Sequence, residues 1–241
     1  MIEALWDALF DLDLRGLFAI VGAVLVAWSL KRAVSRLAKG RQGENRVRRV
    51  LKAGGFACAH DLLLPTGEEG GWTQVDHVVA LPGRLVSIET KTLSGHIYAS
   101  EGARHWMQFV GRQKHRFQNP LHQNFKHLMA IRKIVGDAIP VAGLVVFAGR
   151  ARFPKGLPGG CCHLAELPEE LFVLRGMGSG APAAPFLDRL KLASSQDPAD
   201  RRKHLGDLRT KYGSDGDPDG NLIMAIAAAV AGGVFLGLAF A

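Results

Sequence analysis

The stretch from Thr73 to Lys91, TQVDHVVALPGRLVSIETK, limits what this chain can fold into more than any other. Two runs rich in β-branched residues flank Pro82-Gly83, which predicts two strands joined by a tight turn. Asp76 falls on the first strand, and Glu89 and Lys91 fall near the end of the second. Val75, Val78, Val79, Leu81, Leu85, Val86 and Ile88 surround them. Residues two apart in a strand share a face, so Glu89 and Lys91 point the same way, and Asp76 on the neighbouring strand can join them. Two carboxylates offer hard oxygen donors suited to Mg²⁺ or Mn²⁺, and a lysine beside them can orient a water. Phosphodiester hydrolysis needs those parts. An ordinary surface pair across two strands has the same spacing, and both readings stand at this point.

The surrounding chain predicts a mixed α/β layer. Gly43 to Ala53 reads as a helix, with Val47, Val50 and Leu51 as its apolar stripe and Gly54-Gly55 as its stop. Glu44 sits in its first turn, where a carboxylate is favoured by the helix dipole. Phe56 to Leu64 reads as a strand closed by Pro65, and Gly95 to Ser100 as a short edge strand. The basic, aromatic segment Arg104 to Phe117 reads as a loop that could grip phosphates and stack a base, through Trp106, Arg112 and Lys114, or equally as a solvated loop with Trp106 buried as an anchor. Asn119-Pro120 opens a helix running to about Val135, with Leu121, Phe125, Leu128, Ile131 and Val135 as its apolar face. His122 and His127 are five apart and do not share a face, so they read as structural or solvent-facing. Val141 to Phe147 is apolar throughout, as a central strand would be. Short helices are expected at Glu166 to Leu174, Ala184 to Ala193 and Ala199 to Lys211, with a linker at Gly176 to Pro185.

Both ends carry apolar runs. Leu17 to Leu30 is free of charge and followed by Lys31, Arg32, Arg36, Lys39 and Arg41. Leu222 to Ala241 is a second uncharged run, with Arg201, Arg202, Lys203, Arg209 and Lys211 before it. The positive-inside rule then predicts two spans of an inner or plasma membrane, the N-terminus outside and the middle in the cytoplasm. Formal net charge is +8, from 30 Lys+Arg against 22 Asp+Glu, which favours an anionic partner, nucleic acid or a lipid bilayer. Three cysteines exclude a disulfide scaffold. Cys161-Cys162-His163 is a poor zinc site, because adjacent residues cannot easily both reach one tetrahedral ion. Gly176-x-Gly178-x-Gly180 has no room after it for the βαβ unit of a dinucleotide site.

Several motifs then fall in one order. Gly43-Glu44, Asp61-Leu62-Leu63-Leu64-Pro65, Thr73-Gln74-Val75-Asp76-His77 and Ile88-Glu89-Thr90-Lys91 with Gly95 come first. Trp106 with Gln108, and Asn119-Pro120-Leu121 with Gln123-Asn124 and His127, complete the set. From about Arg41 to Phe147 the chain resembles the NERD, or nuclease-related, domain, which is grouped with the PD-(D/E)xK, restriction-endonuclease-like nucleases. The resemblance implies a mixed central sheet flanked by helices, to which the two apolar runs add a transmembrane helix at each end. It makes Asp76 and Glu89 metal ligands, Lys91 the catalytic lysine and Glu44 an auxiliary acid, with Gln108 and Gln123 as substrate-side or structural polar residues. No proline directly precedes Asp76. The expected organisation is a membrane anchor over 1–40, the nuclease-like domain over 41–150, a helical extension over 151–215 and a transmembrane helix over 216–241. The expected function is metal-dependent hydrolysis of DNA or RNA, and the alternative is a nucleic-acid-binding or scaffold module that keeps the fold without turnover.

Overall fold

A computed structural model of the chain describes residues 14–67, 71–178, 180 and 182–212. Residues 39–210 form one body and carry all the described strands. The chain enters it through α1 (Leu14–Ala53), a single helix of 40 residues. A separate helix starting at Gly43 is not seen, because neither Gly40 nor Gly43 breaks the ladder. Gly43 instead lets the helix approach closely, since a Cβ there would collide with Thr92 Oγ1. Among the described residues no helix is long and apolar enough to cross a membrane. The run 222–241 and the acidic segment before Leu14 lie outside the described residues.

Among the described residues nine strands follow in two sheets. β1 (Ala57–Pro65), β2 (Trp72–Leu81), β3 (Arg84–Lys91), β7 (Val141–Phe147) and β9 (Cys161–His163) make the first, in the order β1-β2-β3-β7-β9. β1, β2 and β3 pair antiparallel, while β7 runs parallel to both β3 and β9. The second sheet has the order β6-β5-β4-β8, from β4 (Ser94–Tyr98), β5 (His105–Val110), β6 (Gln113–Gln118) and β8 (Arg150–Arg152). The basic aromatic stretch is therefore not a loop. It is the β5–β6 hairpin, turning at Gly111-Arg112 with Gly111 at positive φ. Its alternation is masked in sequence because basic residues take the exposed positions of β6.

The helices cover both faces of the first sheet. α2 (Pro120–Val135) and α4 (Ala184–Ala193) bury Ile131, Val135, Leu187 and Leu190 against Leu64, Val75, Val78 and Leu85. On the other face α1 and α3 (Leu167–Gly176) bury Val47, Leu51, Leu167 and Leu171 against Val79, Val86 and Ile88. Side chains alternate across a strand, so β3 gives odd-numbered residues to α2 and even-numbered ones to α1 and α3. The extension after residue 150 thus joins the main core. Leu63, on edge strand β1, donates its N–H to Ser194 Oγ and accepts from Ser195 N–H, which caps that edge. α5 (Pro198–Tyr212) then follows.

β3 and β7 leave the first sheet together and enter the second as β4 and β8, still parallel. At the crossing Gly149 touches the Leu93 backbone so closely that a Cβ would overlap it. Asn119 fastens the hairpin to α2. It is fully buried, its Oδ1 caps the helix by accepting from Leu121 N–H, and its Nδ2 donates to the carbonyls of Glu101 and Ala103 at 2.9 and 2.8 Å. Asn119→Ala is expected to cost about 2–4 kcal/mol in urea unfolding, since it removes a cap and leaves buried carbonyls unpaired. A loss within about 0.5 kcal/mol would show that the amide is not the fastening.

Candidate active site

The site is built on the odd-numbered face of β3. Ser87, Glu89 and Lys91 point in turn at α2, which answers with Asn124, His127 and Gln123. Ser87 Oγ donates to Asn124 Oδ1 at 2.8 Å, and Asn124 Nδ2 donates to the carbonyls of Ser87 and Leu144. Glu89 Oε1 lies 2.7 Å from Lys91 Nζ, and that ammonium also donates to Gln123 Oε1 at 2.8 Å. The side chain of Glu89 is 3% exposed and that of Lys91 22%, so the lysine forms the outer wall of the pair.

Asp76 enters from β2 where the sheet is irregular. The β2–β3 ladder ends at His77↔Ile88, and beyond it Asp76 Oδ2 takes the N–H of Thr90 at 2.8 Å. The β1–β2 ladder skips the level of Asp61 and Asp76, and Asp61 has φ +56°. Both strands change phase there: Ala59 and Leu62 face one layer, as do Val78 and Val75. That shift in alternation turns the Asp76 carboxylate toward the open end of β3.

The charges are strongly coupled. Burial, then the Glu89 carboxylate, raise the Asp76 carboxyl well above the usual carboxylate range, against the Thr90 N–H and Lys91. Glu44, from α1, is raised by burial, then by Asp61 and Glu89. Burial alone would weaken the Lys91 ammonium, but Glu89 beside it, with Asp76 and Glu44, holds it above its ordinary value. Three acids and one lysine thus concentrate negative charge at one strand end, as a divalent cation would require. Glu89 Oε2 is buried without a hydrogen-bond partner, with His127 Nδ1 3.4 Å away but not aligned to bond. An orphaned carboxylate oxygen beside a second acid fits a hard cation. Among the described residues no three His, Cys, Asp or Glu side chains form a ready cage.

The structure brings together Asp76, Glu89, Lys91 and Gln123, with Glu44 near enough to repel the two carboxylates and attract the lysine. It places the other predicted residues elsewhere. Gln108 donates to Ser94 O at 2.7 Å, tying β5 to the start of β4. Trp106 is 1% exposed, packed on Phe147 and Phe117, with its indole N–H donated to Ser100 O. A base cannot stack on it, so its expected substrate role is replaced by an anchor in the core. Arg112 is exposed at the hairpin tip and Lys114 on β6.

His127, part of the motif set but read from spacing only as structural or solvent-facing, lies at the site. It is buried against Glu89, and burial lowers its pKa despite that carboxylate, which favours the neutral ring. The signal was its spacing from Gln123, four residues, rather than from His122. A second buried polar group, His60 Nδ1 2.8 Å from His77 Nδ1, lies on the opposite face of the sheet. His77 is pushed down to about 3, by burial and then by His60 and Arg48. Cys58 Sγ meets His60 at its other nitrogen, Nε2, so the three donors form a line and not a chelate.

The raised Asp76 pKa sets a sign for stability. In the fold the proton leaves at higher pH than in the unfolded chain, so between the two values the unfolded chain binds fewer protons, and stability falls as pH rises from about 3.8 through the folded value. Asp76→Asn keeps an acceptor for Thr90 N–H and removes the ionisation. The variant is expected to melt higher than wild type in metal-free buffer at about pH 8, and the gap to close as pH falls toward about 4. Melting curves that coincide at every pH would mean that Asp76 ionises without cost.

Residues 39–148 match the family model described as Nuclease-related domain. An uncharacterized protein of Bacillus anthracis is 38% identical over 112 residues, which are 45% of this chain and 52% of the relative. The chain thus spans about half the length of that curated relative. No solved structure matches the chain. The segment that contains Glu44, Asp76, Glu89, Lys91 and Gln123 is therefore the part of the chain that is similar to the nuclease-related, or NERD, domain.

Proposed function

We propose that this domain is a metal-dependent nuclease that hydrolyses phosphodiester bonds of DNA or RNA, by the chemistry of the PD-(D/E)xK group. The observation that carries the proposal is the juxtaposition of half-buried Asp76 and Lys91 with buried Glu89 at one end of β3. Asp76 and Glu89 would hold Mg²⁺ or Mn²⁺, through the orphaned Glu89 Oε2 and the oxygens of Asp76. The bound cation supplies charge neutralisation for the phosphate and a more acidic water. Lys91, kept protonated by Glu89 and steadied by Gln123, donates toward an attacking water or the developing negative charge. His127 lies beside Glu89, and Glu44 adds negative charge to the two carboxylates. A second reading keeps the fold as a nucleic-acid-binding or scaffold module without turnover. What favours it is that among the described residues no three metal donors converge.

The test uses single-stranded, duplex and branched substrates with Mg²⁺ or Mn²⁺. Asp76→Ala and Lys91→Ala are each expected to lower cleavage by about 10²-fold or more. Cleavage that survives both substitutions ends the catalytic reading, and binding without cleavage by wild type supports the second one.

The same reading places the domain on the cytoplasmic side of a membrane, tethered by two spans with the N-terminus outside. Support comes from the sequence alone, from the two uncharged runs 17–30 and 222–241 and the basic residues beside them. In intact cells, Ser100→Cys in a background lacking the native cysteines is expected to resist an impermeant maleimide until the membrane is opened. Immediate labelling would reverse the topology.

A further inference from the structure

The outer face of the second sheet carries a pattern that the acid–lysine cluster does not use. Directly paired residues share a face of a sheet. His96↔Phe109 and Tyr98↔Met107 therefore put these four on one side, and Phe109↔Lys114 and Met107↔Arg116 add the two basic residues of β6. On the far edge Ser94↔Arg150 and His96↔Arg152 add those of β8, while Ala151 and Ile97 point into the core. Across the strand order β6-β5-β4-β8 the face reads basic, aromatic, aromatic, basic. None of the four strands contains Asp or Glu.

The middle of this face is accessible. Tyr98 is 40% exposed and packs edge to face on the half-buried Phe109, with ring centroids 5.4 Å apart. Lys114 Nζ stands 5.9 Å from the Phe109 centroid. A groove of about 440 Å³ runs over His96, Tyr98, Met107, Phe109 and Lys114. Ser94 follows Lys91 by three residues, so the strand that carries the face begins no more than about 11 Å from the catalytic lysine.

We propose that this face is a platform for single-stranded nucleic acid that delivers the strand to the Asp76–Glu89–Lys91 site. The proposal rests on the nuclease reading above and names its substrate class. Exposed aromatic rings stack on a base only when that base is unpaired, because a duplex hides its base faces. Two basic edges on either side match a backbone that carries charge along its whole length. A lipid surface would be served by the cations but would leave the central groove unexplained.

The test measures binding of the full chain in EDTA, by fluorescence anisotropy, to a labelled oligothymidylate and to a labelled mixed-sequence duplex. Tyr98→Leu with Phe109→Leu keeps apolar volume and removes the rings. The pair is expected to weaken oligothymidylate binding by about tenfold or more and to change duplex binding by less than about twofold. Arg150→Gln with Arg152→Gln, on an exposed edge where folding is not at stake, is expected to flatten the salt dependence of oligothymidylate binding. Unchanged oligothymidylate binding in both variants overturns the platform, as does a wild type that prefers the duplex. A self-association that the leucine variants abolish, with oligonucleotide binding intact, would assign the face to a second copy and overturn it too. Binding that depends on Tyr98 without cleavage by any variant would remove catalysis and keep the platform. Cleavage and single-strand binding untouched by the leucine substitutions would keep catalysis and remove the platform.

Discussion

The contact on which the rest of this structure depends is Lys91 Nζ against Glu89 Oε1, 2.7 Å apart on a largely buried strand end. Removing two charges from water costs several kcal/mol each, and their attraction repays this only if their remaining donors and acceptors are satisfied. Here one is not: Glu89 Oε2 has no partner. A pair of apolar residues would be at least as stable in that place. The ion pair therefore does not serve stability, and the neighbouring elements are arranged to tolerate it. α2 gives Gln123 and Asn124 to hydrogen bonds with β3 and sets the buried His127 beside Glu89, where leucines would otherwise pack.

The site also needs the sheet to be imperfect. In a regular ladder Thr90 N–H would be taken by a backbone carbonyl of β2. Asp76 takes it instead, just past the last β2–β3 pair. Asp61, at the same level on β1, adopts a left-handed φ that costs about 1 kcal/mol or more outside glycine. It is held there by Gln74 Nε2 at 2.7 Å and by Arg201 Nη1 at 3.0 Å. Arg201 belongs to α5, so even the last described helix helps to keep the distortion that aims Asp76.

How much of this could be read from the chain depended on whether the signal was local. The β2–β3 hairpin, the helix after Asn119-Pro120 and the Val141–Phe147 strand were legible, because turn residues and apolar runs announce them. So was the grouping of Asp76, Glu89 and Lys91, because period-two spacing fixes Glu89 and Lys91 on one face. The β5–β6 hairpin was not, since Lys114 and Arg116 occupy its outward positions and leave too few apolar alternations. The buried face of α2 was misjudged for a related reason. Apolar periodicity selects Phe125, which is 57% exposed, and passes over Asn124 and His127, which are buried because the site requires polar partners there. A helix that packs on a polar cluster does not advertise its inner face by hydrophobicity.

The two sheets are coupled through register. β3 and β4 are one continuous piece of chain, joined by Thr92 and Leu93, and β7 and β8 cross beside them with Gly149 against Leu93. Odd residues of β3 look at α2, while even residues of β4, Ser94, His96 and Tyr98, form the outer face of the second sheet. A one-residue slip in β3 would therefore turn Glu89 and Lys91 away from Gln123 and His127 and, through the same link, bury Tyr98 and expose Ile97. The parallel β3–β7 pairing and the β4–β8 pairing each resist that slip, so the acid cluster and the aromatic face are fixed by one register choice. Chemistry at the end of one sheet and the basic, aromatic surface of the other are, in physical terms, consequences of the same strand alignment.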